Sequence, residues 1–194
     1  MAVELWAMCL DRPLEVHESE KLMVQLPEER RARLLPVKNE AIRREVLCAY
    51  GLLHLLLQQR YGREKLPECQ MGRRGKPAFC EEGLPQFNLS HTQGAVLLGL
   101  SDSPLGVDIQ YMRPLSARVK ERLREAGKTE AGYYRVWVRY EAWVKRQGAA
   151  VDPHFADADS LDAVELETFP GFSAAYSGEG PLAALHLLTM DDLF

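Results

Sequence analysis

Cysteine is scarce in this 194-residue sequence: Cys9, Cys48, Cys69 and Cys80 form no Cys-x-x-Cys pair and no zinc-like spacing with the five histidines. That pattern gives no zinc site, and the four thiols are expected to be reduced and mostly buried, as in a reducing cytosol. An excess of positive charge is also lacking. Lys and Arg number 24 against 28 Asp and Glu, a net charge of −4, which argues against non-specific binding of nucleic acid but leaves room for a local basic pocket. No apolar run is long enough to cross a bilayer. The most apolar stretch, Leu47 to Leu57, is short and flanked by Arg43, Arg44 and Arg60, so it reads as a buried helix. The first ten residues carry Glu4 and lack a basic region followed by an apolar core; no signal peptide and no membrane partner are expected, and the location expected is cytoplasmic. Internal repeats and low-complexity segments are absent too. What remains is a chain with a 46% hydrophobic fraction, sufficient for a packed core in one domain or two small, tightly joined ones.

The periodicity predicts an α+β fold with antiparallel sheets. Residues 2–9 read as a first strand closed by Asp11-Arg12-Pro13, and 27–35 as a short charged helix between Pro27 and Pro36. A long helix is expected from about 39 to 60, capped by Asn39 and stopped by Gly62. His54 falls inside its apolar run and reads as a packed core residue. Strands follow at 86–89 and 95–100, with Ser90-His91-Thr92-Gln93-Gly94 as their connection, and at 105–110 after the turn Ser101-Asp102-Ser103-Pro104. Helices are expected at 115–126 and about 129–147, the second closed by Gly148, and strands at 163–168, 172–176 and 182–188.

Few residues carry chemistry in their own right. Leu105-Gly106-Val107-Asp108-Ile109-Gln110 alternates strictly, so Gly106, Asp108 and Gln110 share a face. A carboxylate and an amide beside a glycine can hold a hard cation, although an ordinary half-exposed strand has the same pattern. Glu141 and Lys145 stand four apart on one helical face, the spacing of a surface ion pair worth about 0.2–0.5 kcal/mol. Ala142 and the flanking aromatics point instead to a closely packed helix. Ser90-His91 suits a phosphate and lacks the Gly-x-Ser-x-Gly of a nucleophile elbow. Gly75-Lys76-Pro77 is a turn with an exposed lysine. The basic residues Arg30, Arg31, Arg33, Lys38, Arg43 and Arg44 are interleaved with Glu28, Glu29, Glu40 and Glu45; they read as a solvated face, one end of which could clamp a phosphate.

The order of these elements is more specific than any one of them. Gly75-Lys76-Pro77, Phe87-Asn88-Leu89-Ser90-His91, Gly106-Val107-Asp108, then Trp137 with Glu141-Ala142 and Lys145 resembles the motif series of the surfactin-synthetase-activator type of phosphopantetheinyl transferase. Asp11-Arg12-Pro13-Leu14, Pro27-Glu28 and Arg43 look like the opening of that family. The similarity fades after about Gly148.

The resemblance implies a pseudo-dimer of two similar halves, each an antiparallel sheet packed on a long helix. Residues 1–104 would form the adenosine side of a coenzyme A cleft, and 105–194 the side of the metal and the carrier protein. It implies transfer of the 4′-phosphopantetheine arm of coenzyme A to a serine of an apo acyl- or peptidyl-carrier protein, with Mg²⁺ as cofactor and no need of a second copy of the chain. Asp108 and Glu141 would bind Mg²⁺ with Gln110 beside them, and Glu141 would take the serine proton. Lys145 would contact the diphosphate, and Ser90 and His91 the coenzyme A phosphates. Lys76, Pro77 and Arg43 would lie around the adenosine and its 3′-phosphate. Gln110 replaces the acidic residue usual in the family, Tyr140 stands where a lysine is common, and 111–136 is shorter than usual, with Glu130 as the candidate for the further glutamate that this stretch contributes in the family. These departures motivate the alternative of a degenerate homologue that binds coenzyme A or a carrier protein without catalysis.

Overall fold

The computed structural model describes residues 2–72, 76–125, 129–148 and 161–194, apart from the side chains of 122 and 123. Gly75 of the Gly-Lys-Pro turn and the last residue of the helix expected at 115–126 lie outside the described residues. Strand β1 (Val3–Cys9) is followed by helices α1 (Val16–Gln25), α2 (Glu28–Leu34) and α3 (Glu40–Tyr61). Then come β2 (Cys69–Met71), β3 (Pro77–Phe79), β4 (Gln86–Thr92), β5 (Ala95–Ser101) and β6 (Leu105–Tyr111). Helices α4 (Ala117–Glu125) and α5 (Glu130–Gln147) precede β7 (Val164–Leu166), β8 (Phe172–Gly178), β9 (Leu182–Leu188) and a 3-10 turn, Met190–Leu193.

The class is α+β, as expected, in two main sheets. The first has the order β4-β5-β1-β9 and the second β6-β8-β7, with β2-β3 as a separate ribbon. Among the described strands pairing is antiparallel except at one place: β9 runs parallel to β1. A strand-by-strand reading expects only antiparallel neighbours, because hairpins are local whereas the β1–β9 pairing joins the two ends of the chain.

Period-two alternation sorts the core into two layers. Trp6 and Met8 of β1, with Val96, Leu98 and Leu100 of β5, pack against α3. Val3, Leu5 and Ala7, with Ala95 and Leu97, pack against Leu105, Val107 and Ile109 of β6. The layers therefore run α3, first sheet, second sheet, α5, with Val138 and Ala142 of α5 against Ala175 of β8. α3 begins where Asn39 accepts the amides of Ala41 and Ile42, and ends where Gly62 takes the left-handed conformation, both as expected. His54 is buried in it, with Nε2 2.9 Å from the Glu64 carbonyl. Among the described helices none is long and apolar enough to cross a membrane. Burial of the thiols is narrower than expected: Cys48 is buried, which pushes its thiol up to about 12, Cys9 and Cys69 are half-buried, and Cys80 is exposed.

Helix α1 has no counterpart in the sequence reading, and a charged contact fixes its start. Arg12 forks onto buried Glu18 at 2.7 and 2.8 Å, and the Glu15 amide donates to the same carboxylate at 2.8 Å. Arg12 above all holds the Glu18 carboxyl down to about 2, against burial, which acts the other way. A carboxylate lowered on folding stabilises above its unfolded pKa, and that contribution fades as pH falls from about 4.5 through about 2. Glu18→Gln is therefore expected to cost about 2 kcal/mol at pH 7. The gap to wild type should close in denaturant melts as the pH is lowered to about 2.

Candidate active site

The site is built where β4 and β6 run side by side without a backbone ladder between them. Alternate side chains of β4 replace the missing carbonyls: Asn88 accepts the Val107 amide at 2.8 Å, Ser90 that of Ile109 at 3.3 Å, and Thr92 that of Tyr111 at 3.3 Å. This corrects one expectation. Ser90, His91 and Thr92 belong to strand β4, and the turn is confined to Gln93-Gly94, with Gly94 at φ 87°. The run of polar residues imitates a turn but serves as a polar seam between two sheets.

On its other side β6 meets α5 at close range. A Cβ on Gly106 would fall inside the Ala142 carbonyl oxygen and the Arg146 amide, so only glycine lets the strand lie against the helix backbone. That approach faces Asp108 towards Lys145, and the carboxylate is 1% exposed. Its Oδ1 accepts Lys145 Nζ at 2.6 Å and Ser90 Oγ at 2.7 Å, and its Oδ2 accepts Gln110 Nε2 at 3.1 Å. Lys145 also donates to Ser90 Oγ at 3.1 Å and the Val107 carbonyl at 3.2 Å. The lysine thus pairs across the layers with Asp108, whereas its helical spacing had suggested Glu141. The polar face of β6 is packed against a helix and is not a solvated strand face.

Ser90, His91, Asp108, Gln110, Glu141 and Lys145 all line one cavity of about 590 Å³. Burial, and then the charge of Asp108, raise the Glu141 carboxyl above its ordinary range, with Lys145 opposing. The two carboxylates therefore repel each other, and a cation between them would relieve the repulsion. Among the described residues no three His, Cys, Asp or Glu side chains converge on a point. Mg²⁺ does not require three, since it takes one or two carboxylates together with phosphate oxygens and water. The donor set of Asp108, Glu141 and the Gln110 amide fits such an ion. Ser90 Oγ has one donor and two acceptor positions, and contacts with Asp108, Ile109 and Lys145 fill all three. In this structure its hydroxyl donates to Asp108.

The remaining candidates lie elsewhere. Lys76 donates to the Leu105 carbonyl at 2.8 Å, and burial lowers its pKa; it does not line the 590 Å³ cavity. Pro77 lines a smaller cavity of about 180 Å³ that also touches His91 and Arg30. Arg30 was legible in the sequence only as one member of a basic cluster; here its guanidinium lies 5.0 Å from the Tyr50 ring centre, over a wall of that cavity. Arg43 lines a separate cavity with Lys38 and Arg44, because it points away from the side of α3 that Glu45 and His91 occupy. Glu130 pairs with Lys120 at 2.9 Å and accepts the Leu115 amide at 3.3 Å, which ties α5 to the preceding segment outside the carboxylate pair. Tyr140 is buried and stacks on Trp143, a packing role that explains an aromatic at that position.

The arrangement is that of an α+β protein with a buried carboxylate–lysine centre at the floor of a polar cleft. No protein-family model matches the chain. Among curated proteins, it is 25% identical over 158 residues to the 4′-phosphopantetheinyl transferase ffp of Bacillus subtilis, covering 75% of this chain and 70% of ffp. The 4′-phosphopantetheinyl transferase Sfp of the same organism is 24% identical over 160 residues, with the same coverage. The 4′-phosphopantetheinyl transferase AcpT of Salmonella typhimurium is 34% identical over 123 residues, 53% of this chain and 64% of AcpT. The chain thus spans somewhat under two thirds of AcpT and somewhat more of the Bacillus proteins. The chain is similar in sequence to these 4′-phosphopantetheinyl transferases, in line with the motif series.

Proposed function

We propose that this protein is a holo-carrier-protein synthase: it transfers the 4′-phosphopantetheine arm of coenzyme A to a serine of an acyl- or peptidyl-carrier protein and releases 3′,5′-ADP. The observation that carries this reading is the convergence of Asp108, Glu141 and Lys145 in one polar cavity with His91, on a chain whose relatives bear that name. A protein that only binds coenzyme A has no need of a buried carboxylate–lysine centre beside a second carboxylate, which disfavours the degenerate alternative.

The chemistry follows from the residues. The carrier serine oxygen attacks the β-phosphorus of the coenzyme A diphosphate; the P–O bond to the bridging oxygen breaks, and 3′,5′-ADP leaves with that electron pair. Glu141, whose carboxyl burial and Asp108 make more basic, takes the serine proton directly or through a water. Lys145 offsets charge growing on the 5′-phosphate of the departing 3′,5′-ADP, and Asp108 and Ser90 hold its ammonium in place. Asp108, Glu141 and Gln110 would hold Mg²⁺, which supplies charge neutralisation at the phosphate oxygens. His91 meets the 3′-phosphate. We further propose that residues 1–104 and 105–194 are two similar halves built on α3 and α5, with β9 crossing into the first sheet. The protein would act as a cytoplasmic monomer.

Incubation with fluorescently labelled coenzyme A, Mg²⁺ and a panel of apo-carriers tests the reading: labelling of at least one carrier is expected, and none across the panel would refute it. A second expectation concerns Gln110, an uncharged neighbour of Asp108. Gln110→Glu should tighten Mg²⁺ binding to the coenzyme A complex on the order of tenfold, or about 1.4 kcal/mol. Calorimetric titration measures it, and an unchanged affinity would place residue 110 outside the coordination shell.

A further inference from the structure

Helix α3 delivers a carboxylate to a buried position where it needs a hydrogen-bond partner. Glu45 opens the buried run of the helix, and its side chain is 9% exposed. Burying an unpaired carboxylate is prohibitively costly. Its partner among the described residues is His91 of β4, whose Nδ1 lies 2.9 Å from Glu45 Oε2. A carboxylate only accepts, so Nδ1 carries a hydrogen, and the bond fixes the ring plane. The other nitrogen, Nε2, has no protein partner among the described residues. His91 lines the 590 Å³ cavity and also the 180 Å³ cavity, which has Arg30 on its wall. A charged ring bears a donor on each nitrogen, so His91 can give one to Glu45 and the other to an anion at the same time.

We propose that Glu45 is a positioning residue for anion recognition: by holding Nδ1 of His91 it aims Nε2 at the ligand, and it thereby sets how well the protein distinguishes coenzyme A from dephospho-coenzyme A, which lacks the 3′-phosphate. This rests on the reading above that His91 meets that phosphate. Glu45 itself stands behind the ring, so its repulsion of the phosphate acts at longer range than the two hydrogen bonds it organises. The bonds prevail.

The test is equilibrium binding of both ligands to wild type, His91→Ala, Glu45→Met and Glu45→Gln, with melting temperatures taken alongside. Methionine fills the buried volume without a hydrogen bond, so the fold has a replacement it can tolerate. Glutamine can still accept from Nδ1. Wild type is expected to prefer coenzyme A, and His91→Ala to erase the preference. Glu45→Met should lose about tenfold in affinity for coenzyme A and nothing for dephospho-coenzyme A, an effect the size of one charge-assisted hydrogen bond. Glu45→Gln should recover most of that loss. If His91→Ala erases the preference while Glu45→Met retains it, the positioning role is refuted and the reading of His91 stands. Equal losses for both ligands in Glu45→Met, or tighter binding of coenzyme A, would likewise overturn the role. If wild type shows no preference, the reading of His91 fails, and the role of Glu45 fails with it.

Discussion

Glu141→Gln and Asp108→Asn should each slow transfer of the arm at least about a hundredfold at saturating Mg²⁺, because each removes charge that the transition state requires. The two variants should differ in their effect on the fold. Glu141 is half-buried and its carboxyl is already pushed towards the neutral form, so an isosteric amide leaves the melting temperature nearly unchanged. Asp108 is 1% exposed and holds Lys145 at 2.6 Å. Its amide variant strands the ammonium among Ser90 and the Val107 carbonyl, a loss on the order of 3 kcal/mol or more for a broken buried pair. Single-turnover assays paired with thermal melts separate the two effects. Near-normal transfer by both variants would remove these carboxylates from the chemistry.

Among the described glycines, Gly106→Ala should be the most damaging alanine substitution. The added methyl meets the backbone of α5 at Ala142 and Arg146, and a helix backbone cannot rotate aside as a side chain can. Strand β6 and helix α5 must separate, which loosens the packing of Val138 and Ala142 on Ala175 and draws Asp108 away from Lys145. Overpacking of this kind costs about 3 kcal/mol or more, which for a chain of this size is a fall in Tm of about 6–12 °C. Transfer should fall with it, because β6 carries Asp108 and α5 carries Glu141 of the carboxylate pair. An alanine variant with wild-type Tm would mean that α5 and β6 do not approach as closely as described.

What the sequence disclosed depended on how local the cause was. Asn39, Gly62 and Gly148 bracket helices through contacts within one turn, and the alternation of Leu105 to Gln110 sorts side chains by strand geometry alone, so these were legible. The pairing of Lys145 with Asp108 spans 37 residues and depends on a glycine lying against a helix, which no spacing rule reports. Ser90 and His91 were misplaced into a turn because Asn88, Ser90 and Thr92 are polar for the sake of a neighbouring strand. Helix α1 escaped notice although Glu15 and Glu18, three apart before Leu22 and Leu26, carry the spacing of a capping box. Arg43 was one cation among six, and only the side of α3 it occupies separates it from the site.

The most direct test of the account is the intact mass of an apo-carrier protein after incubation with this protein, coenzyme A and Mg²⁺, run beside a carrier whose acceptor serine is replaced by alanine. The account predicts a gain equal to one phosphopantetheine arm on the serine carrier, stoichiometric release of 3′,5′-ADP, and no gain on the alanine carrier or with Glu141→Gln in a matched incubation. Tight binding of coenzyme A with no mass gain on any carrier in a broad panel would contradict it.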